Sequence, residues 1–254
     1  MKIISWNVLH IIHELNYALN SSYVINKYDI ANSEANEQKR LVDIFSTIRK
    51  HLSDETVICL QEVPGDLLTL LKKLTGMGIF EYQYTRIPKI KNLIKYQHIY
   101  SDPAEYLVIL IPDKLAQDAK QLQTIQFDDP GKACSVVQID KMLIMNTHVP
   151  MGTAYREKAF EQIGEFVDCT ELDFMLVGDM NMCPDKLRDA LKVFKTKSKI
   201  VEMDKPTRKG INRGVEVCSK IDHGVISSSF NVLHKFVADN VDMSDHSLIG
   251  FNIL

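Results

Sequence analysis

Phe174-Met175-Leu176-Val177-Gly178-Asp179-Met180-Asn181 is the stretch whose reading decides the fold. Four apolar residues in a row make a buried strand, too short for a helix of ordinary length. A glycine and two short polar side chains, Asp179 and Asn181, then close it. Asp and Asn after a strand are usually turn formers, so one such ending carries little weight. The pattern recurs, however. Asn7 ends the run Ile3 to Trp6, Glu62 follows Val57 to Leu60 across Gln61, and His148 follows Met142 to Met145 across Asn146 and Thr147. In the tail the order reverses: Asp222 leads into Val225-Ile226, and Asp245-His246 leads into Leu248-Ile249. If those last two strands run antiparallel to the earlier ones, all six polar ends meet at one edge of the fold.

Between these strands the apolar period changes. Leu41, Ile44, Phe45 and Ile48 recur at i, i+3, i+4 and i+7, which predicts a helix packed on a sheet. Leu67 to Leu74 reads as a second helix closing near Gly76, and Tyr155 to Val167 as a third that buries Ala159, Ile163, Phe166 and Val167. Further strands are expected at Tyr106 to Ile111, Ser135 to Ile139 and Val232 to Val237. Strands outnumber helices, and some connections are too short for crossovers, so the expected architecture is α/β with a mixed sheet arrangement covered by helices. No repeat, low-complexity tract or linker divides the chain, and residues 1–254 are read as a single domain. The polar stretch from about Asn16 to Glu37 reads as an insertion, a lid or a binding loop.

Composition narrows the class. Hydrophobic residues are 45% and charged residues 25% of the chain, ordinary for a soluble globular protein. No apolar stretch approaches the roughly 18 residues of a membrane span, and Met1-Lys2-Ile3-Ile4-Ser5-Trp6 lacks the h-region of a secretory signal, so a cytoplasmic monomer is expected. Five widely spaced cysteines with no CxxC indicate reduced core thiols rather than disulfides or zinc. A net charge of −3 argues against a surface that grips polyanions all over. Two local basic segments remain: Arg86 to Lys95, with Tyr82, Tyr84 and Tyr96 nearby, and Lys186 to Arg213.

The gathered polar ends have a chemical use. Hard cations such as Mg²⁺ take oxygen ligands from one or two carboxylates and leave the rest to water or phosphate, which suits Glu62 and Asp245. Asp179 can orient or deprotonate a water. Asn7 and Asn181 can hold a phosphate or a nucleophile without adding negative charge. A histidine beside a carboxylate, as His246 with Asp222, can be held protonated or act as acid or base. Phosphoester hydrolysis needs this set. His10-Ile11-Ile12-His13-Glu14 has neither HExxH nor HxxEH order and is read as loop rather than a zinc helix.

Ser5-Trp6-Asn7, Leu60-Gln61-Glu62, Asn146-Thr147-His148, Gly178-Asp179-Met180-Asn181, Ile221-Asp222-His223 and Ser244-Asp245-His246 together resemble, in order and over nearly the whole chain, the motifs of the endonuclease/exonuclease/phosphatase superfamily. The resemblance implies a four-layer α/β/β/α sandwich with two mixed, mostly antiparallel β-sheets, and one Mg²⁺-dependent site, with Mn²⁺ a possible substitute. It implies Glu62 as principal metal ligand with Asn7 and Asp245 close by, Asp179 as water activator and Asn181 as its partner. It places His246 on the scissile phosphate, oriented by Asp222, with His148 as a second phosphate-facing histidine. Glu105 is similar to the acid that orients His148 in the deoxyribonuclease branch, with Tyr106 as the alternative active-site residue there. Val8-Leu9 and Val63 depart from the repair-nuclease pattern and look more like deadenylase-type members. The expected activity is a nuclease on DNA or RNA, with Arg86 and Tyr106 contacting substrate. The alternative is a phosphatase or phospholipase C-type enzyme on phosphoinositides or sphingomyelin.

Overall fold

A computed structural model describes residues 1–11, 23–30, 34–86, 99–212, 215–238 and 243–254. His13 and Glu14, residues 16–22 and 31–33 of the Asn16 to Glu37 insertion, and the basic segment beyond Arg86 lie outside the described residues; the rest of the insertion is described. Along the chain run β1 (Lys2–Asn7), α1 (Tyr23–Tyr28), α2 (Glu34–Arg49), β2 (Thr56–Pro64), α3 (Gly65–Leu74), β3 (Gly78–Gln83), β4 (Glu105–Ile111) and α4 (Asp113–Ala116). Then come β5 (Ala119–Gln121), β6 (Ile125–Gln126), β7 (Ala133–Ile139), β8 (Met142–His148), α5 (Thr153–Thr170), β9 (Asp173–Asp179) and α6 (Pro184–Ala190). The last stretch holds β10 (Ser198–Val201), β11 (Arg208–Asn212), β12 (Val215–Ser219), β13 (Asp222–Ser227), β14 (Val232–Ala238) and β15 (Leu248–Ile253).

Two sheets result. The first has the order β14-β15-β1-β2-β4-β3; the second has β10-β13-β9-β8-β7-β5, with β6 also on β7. Only the pairs β1–β2 and β8–β9 are parallel; the others are antiparallel, including β15 on β1 and β13 on β9. The tail strands therefore do run against the earlier ones, and the polar ends meet.

Alternation explains the layers. On β1, Ile4 and Trp6 pack with Leu41, Ile44, Leu67 and Leu71 of the helices over the first sheet. Ile3, one residue before Ile4, faces the other way, into a core shared with Val57, Ile109, Val137, Ile144, Met175, Val177 and Ile226 from both sheets. The outer face of the second sheet buries Val136, Leu143 and Leu176 against Ala159, Phe160, Ile163 and Val167 of α5 and Leu187 of α6. Each central strand is covered on both faces, which is why the strands read as continuous apolar runs.

The sandwich is pinned at the site end by polar groups. The β2–β4 register slips between Leu60 and Val63, a bulge of one extra residue. Asn146 of the opposite sheet donates to Leu60 O at 2.9 Å and Val108 O at 3.0 Å, and Gln61 Nε2 donates to Asn146 Oδ1 at 2.6 Å. Several short strands escaped the sequence reading: β3, β5, β6, β10 and the β11–β12 hairpin have no sustained alternation. Only Cys59 and Cys134 are buried; Cys169, Cys183 and Cys218 are exposed, which corrects the expectation of five core thiols. The basic residues of the Lys186 to Arg213 segment include several already in ion pairs, Arg188 with Asp185 and Glu202, and Lys192 with Asp189. Among the described residues no helix is long and apolar enough to cross a membrane.

Candidate active site

Three of the residues form one rung of the second sheet. In register, His148 of β8 lies beside Asp179 of β9, and Asp179 lies beside Asp222 of β13. They are not in loops after the strands, as the apolar runs alone implied, but are the terminal residues of the strands themselves. Gly178 makes this rung possible. Its φ is +146°, and a Cβ there would sit 1.9 Å from Thr147 O, so only glycine brings the chain past β8 at this point.

The first sheet supplies the facing half. Glu62 sits in the bulge with φ +55°, a left-handed conformation that re-aims its side chain. Glu62 Oε2 accepts from the His10 amide at 3.0 Å, while Oε1 lies 3.4 Å from Asn7 Nδ2 and 3.7 Å from His148 Nε2. Asn7 Nδ2 also donates to Asp179 Oδ2 at 3.2 Å. One amide thus joins the carboxylates of the two sheets.

Asp179 is the hub. Its Oδ2 lies 3.3 Å from His148 Nε2 and 3.7 Å from His246 Nε2, and its Oδ1 accepts the Asn181 amide at 2.9 Å. Burial works to raise its pKa, but His246 first, then His148 and Lys132, hold it far below the ordinary carboxylate range. It is an anion in a dry place. His246 Nδ1 lies 3.0 Å from both oxygens of Asp222. Burial opposes its charge, yet Asp222, Asp245 and Asp179 together push its pKa up to about 10, so it is a cation at neutral pH. Burial moves Asp222 the other way, upward. Glu62 is held down at about 2: burial raises it, and His148, Lys132 and Arg86 outweigh that.

Deeper groups hold these in place. Arg40, fully buried on α2, pairs with Glu37 and donates to Val8 O at 2.8 Å, Leu9 O at 2.9 Å and Met243 O at 2.6 Å. Tyr100 donates to the same Glu37 at 2.6 Å. The chain after Asn7 and the chain before Asp245 are thereby tied to one guanidinium. Trp6 Nε1 donates to His246 O at 2.9 Å, and Ser244 Oγ to Asn7 O at 2.6 Å. Thr207 Oγ1 accepts the amides of Ile221 and Asp222 at 3.0 Å each.

The remaining sequence candidates take separate places. Asn181, at φ +50°, uses its side-chain amide on Val149 O at 2.8 Å. Asp245 Oδ2 accepts from Arg208 Nε at 2.9 Å. Glu105 is held by Arg86, Nη2 to Oε1 at 2.7 Å and Nε to Oε2 at 3.1 Å, so Arg86 is committed to a buried carboxylate. Tyr106 is half-buried, its hydroxyl 3.4 Å from Asp102 Oδ2. Two residues that no motif flagged stand at His148. Lys132 Nζ contacts both ring nitrogens, Nε2 closely and Nδ1 at 3.2 Å. The ring of Tyr84 meets that of His148 edge-on, centroids 6.3 Å apart. Their one sequence signal is position: Lys132 directly precedes the strand that pairs with the one ending in His148.

Asp179, Asp222 and His246 bring one potential ligand atom each within 4.8 Å of one another, a spacing that can hold a metal ion. No protein-family model and no curated protein matches this sequence. Solved structures do match. A D. rerio TDP2 complexed with single-strand DNA product has 15% identity and a TM-score of 0.66, covering 100% of this chain and 98% of that one. An endonuclease/exonuclease/phosphatase from Bacteroides vulgatus has 15% identity and a TM-score of 0.65, with 100% and 98% coverage. The mannosyl-6-phosphatase Bt3783 of Bacteroides thetaiotaomicron has 16% identity and a TM-score of 0.62, with 100% and 99% coverage. Over its whole described length, the chain has the fold of the endonuclease/exonuclease/phosphatase superfamily.

Proposed function

We propose that this protein is a divalent-metal-dependent phosphoesterase that hydrolyses phosphodiester bonds of nucleic acid. The observation that carries the reading is Asp179: a buried anion placed between a cationic histidine and the Glu62–Asn7 pair of the facing sheet. The donors Glu62, Asp245 and Asn7 are all oxygen-bearing, as Mg²⁺ or Mn²⁺ requires. Asp245 Oδ1 is also buried without a hydrogen-bond partner among the described residues, an orphaned acceptor that a cation would satisfy. When bound, such an ion neutralises charge on the phosphoryl oxygens. His246, cationic, is paired with Asp222 and so is a poor metal ligand, but it is well placed to meet a phosphoryl oxygen.

Asp179 accepts the proton of the attacking water. The water oxygen bonds to phosphorus, and the in-line ester oxygen departs. Asn7 and the Asn181 amide keep the Asp179 carboxylate aimed while this happens.

Nucleic acid is favoured as substrate because the TDP2 of like fold was solved with a DNA product. The phosphoinositide or sphingomyelin alternative has one observation of its own. On the β11–β12 hairpin, whose Arg208 is paired to Asp245, Val215 and Val217 are 65% and 46% exposed, and an apolar rim beside a phosphate site is what a lipid substrate uses. Purified protein is therefore assayed with Mg²⁺ on single-stranded RNA, single-stranded DNA and phosphoinositide vesicles, with EDTA controls. Cleavage of a polynucleotide, abolished by EDTA and restored by Mg²⁺, is the expected result. Turnover indifferent to EDTA sinks the metal chemistry, and cleavage of vesicles alone moves the substrate to the lipid reading.

A further inference from the structure

We infer that Tyr155, with Met151, is a stacking platform for an unpaired nucleobase next to the scissile phosphate, so that the substrate is taken as a single strand. The inference rests on the nuclease reading and names the form of its substrate. One segment is stitched to the site at both ends. The Val149 amide donates to Asp179 O at 2.9 Å, Asn181 Nδ2 donates to Val149 O at 2.8 Å, and Arg156 Nη1 donates to Asn181 O at 2.7 Å. Arg156 also closes the first turn of α5, its amide donating to Gly152 O at 2.9 Å and its Nη2 to Thr153 Oγ1 at 3.1 Å. Residues 149–156 are therefore fixed against Asp179 and Asn181, and a side chain they present outward keeps a constant station beside the phosphate site.

Two large apolar side chains of this segment are presented outward. Val149 and Pro150 are buried, whereas Met151 is 68% and Tyr155 54% exposed. Among the described side chains Tyr155 is the only aromatic one left exposed, and it stands on the segment that follows His148. The ring does not hang free. It lies against Gly152, where a Cβ would come within 2.9 Å of Tyr155 Cδ2, so the glycine gives the ring its seat. Scattered single apolar side chains need no partner. An aromatic ring and a thioether on one locked segment bordering a phosphate site are a different case, because a bound substrate passes over them.

A nucleobase fits both side chains. Its π-face stacks on an aromatic ring whatever the base, and methionine sulfur packs favourably against aromatic rings. A tyrosine already seated, with few torsions to freeze, loses little freedom when a base covers it. A base inside a duplex has its faces taken by its neighbours, so only an unpaired one has a face to give. A lipid surface is the poorer match: binding to it scales with buried apolar area, and two side chains offer the area of one base rather than of a membrane anchor.

The test uses the full chain with Mg²⁺ on three matched oligonucleotides: a single strand, the same strand fully paired, and its abasic counterpart. Wild type is expected to cleave the single strand with the highest kcat/KM. Tyr155→Ala should lower the ratio of kcat/KM on the single strand to that on the abasic strand by about ten- to a hundredfold, the scale of one lost base–aromatic stack. Tyr155→Phe, which keeps the π-face, should restore the ratio, and Tyr155→Leu, which keeps only apolar bulk, should not. Binding is read apart from turnover, in EDTA, by 2-aminopurine placed at successive positions of the single strand: wild type and Tyr155→Phe quench its fluorescence at one position, and Tyr155→Ala does not. An unchanged ratio in Tyr155→Ala, a paired strand cleaved as fast as the single one, or Tyr155→Leu performing as well as Tyr155→Phe overturns the platform. Wild type that cleaves no oligonucleotide breaks the nuclease reading; the platform then stands only if 2-aminopurine is still quenched through Tyr155, and falls otherwise. Loss of binding to phosphoinositide vesicles in Tyr155→Ala, with oligonucleotide cleavage intact, moves the patch to lipid and overturns the assignment.

Discussion

His246 and His148 approach the same oxygen of Asp179, at 3.7 and 3.3 Å, and both are almost fully buried. Their other contacts differ in sign. His246 has its second nitrogen on both oxygens of Asp222, with Asp245 nearby, and those carboxylates hold it as a cation. His148 has an amine against its ring instead. Residue type and position at a strand end are the same in both, so neither decides the role. What decides it is the charge brought up behind the ring by a neighbouring strand: Asp222 begins β13, whereas Lys132 immediately precedes β7. A carboxylate behind the ring favours its charged form, and an ammonium beside the ring disfavours it.

The comparison can be broken at its shared point first. Asp179→Asn removes the anion both rings face and the acceptor for the water's proton, and should lower kcat by about 10³-fold. An activity within tenfold of wild type would mean that Asp179 is no base. Next, Asp222→Asn should cost about 10²-fold, the scale of losing a carboxylate that orients a histidine.

The smallest effect is on stability. His246 has its pKa raised from an ordinary 6.5 to about 10, so the stabilisation it draws from its carboxylates is complete below about 6.5 and is lost as pH rises through 10. In EDTA, the gap in Tm between wild type and His246→Gln should therefore close between pH 6 and pH 10.5. A gap that stays constant over that window means the ring is neutral in the folded protein.

Much of this was legible because burial writes itself into sequence. Strands covered on both faces leave apolar runs such as Val57 to Leu60 and Phe174 to Val177, and polar residues interrupt them only where the strands leave the core, at the site. The reversed order in the tail, Asp222 before Val225 and Asp245 before Leu248, made sense only if those strands ran antiparallel to the earlier ones, as they do. What stayed hidden depends on partners far away in the chain. Arg40 and Glu37 sit three apart on α2 with nothing in the sequence to mark them as buried, yet both are fully buried, because the loops after β1 and before β15 fold over them. Lys132 and Tyr84 lie in no periodic pattern and gain meaning only when β7 sets Ala133 beside His148. The β11–β12 hairpin was missed because Arg208-Lys209-Gly210-Ile211-Asn212 has no two-residue alternation to betray it. Of the insertion read as a lid or a binding loop, residues 23–30 and 34–37 are described and carry helix, α1 and the start of α2, while most of the first basic segment lies outside the described residues.

The neighbour relation of β1 and β15 has a temporal meaning. β1 pairs with β2 on one side, but its other edge waits for β15, and Trp6 reaches the carbonyl of His246 across 240 positions of chain. Contacts of that span are slow to form. During synthesis Asn7 and Glu62 emerge early, while the segment carrying Asp245 and His246 emerges last of the six motifs. The six polar strand ends can therefore come together only after nearly the whole chain has been made, so the site is among the last parts of the molecule to be complete.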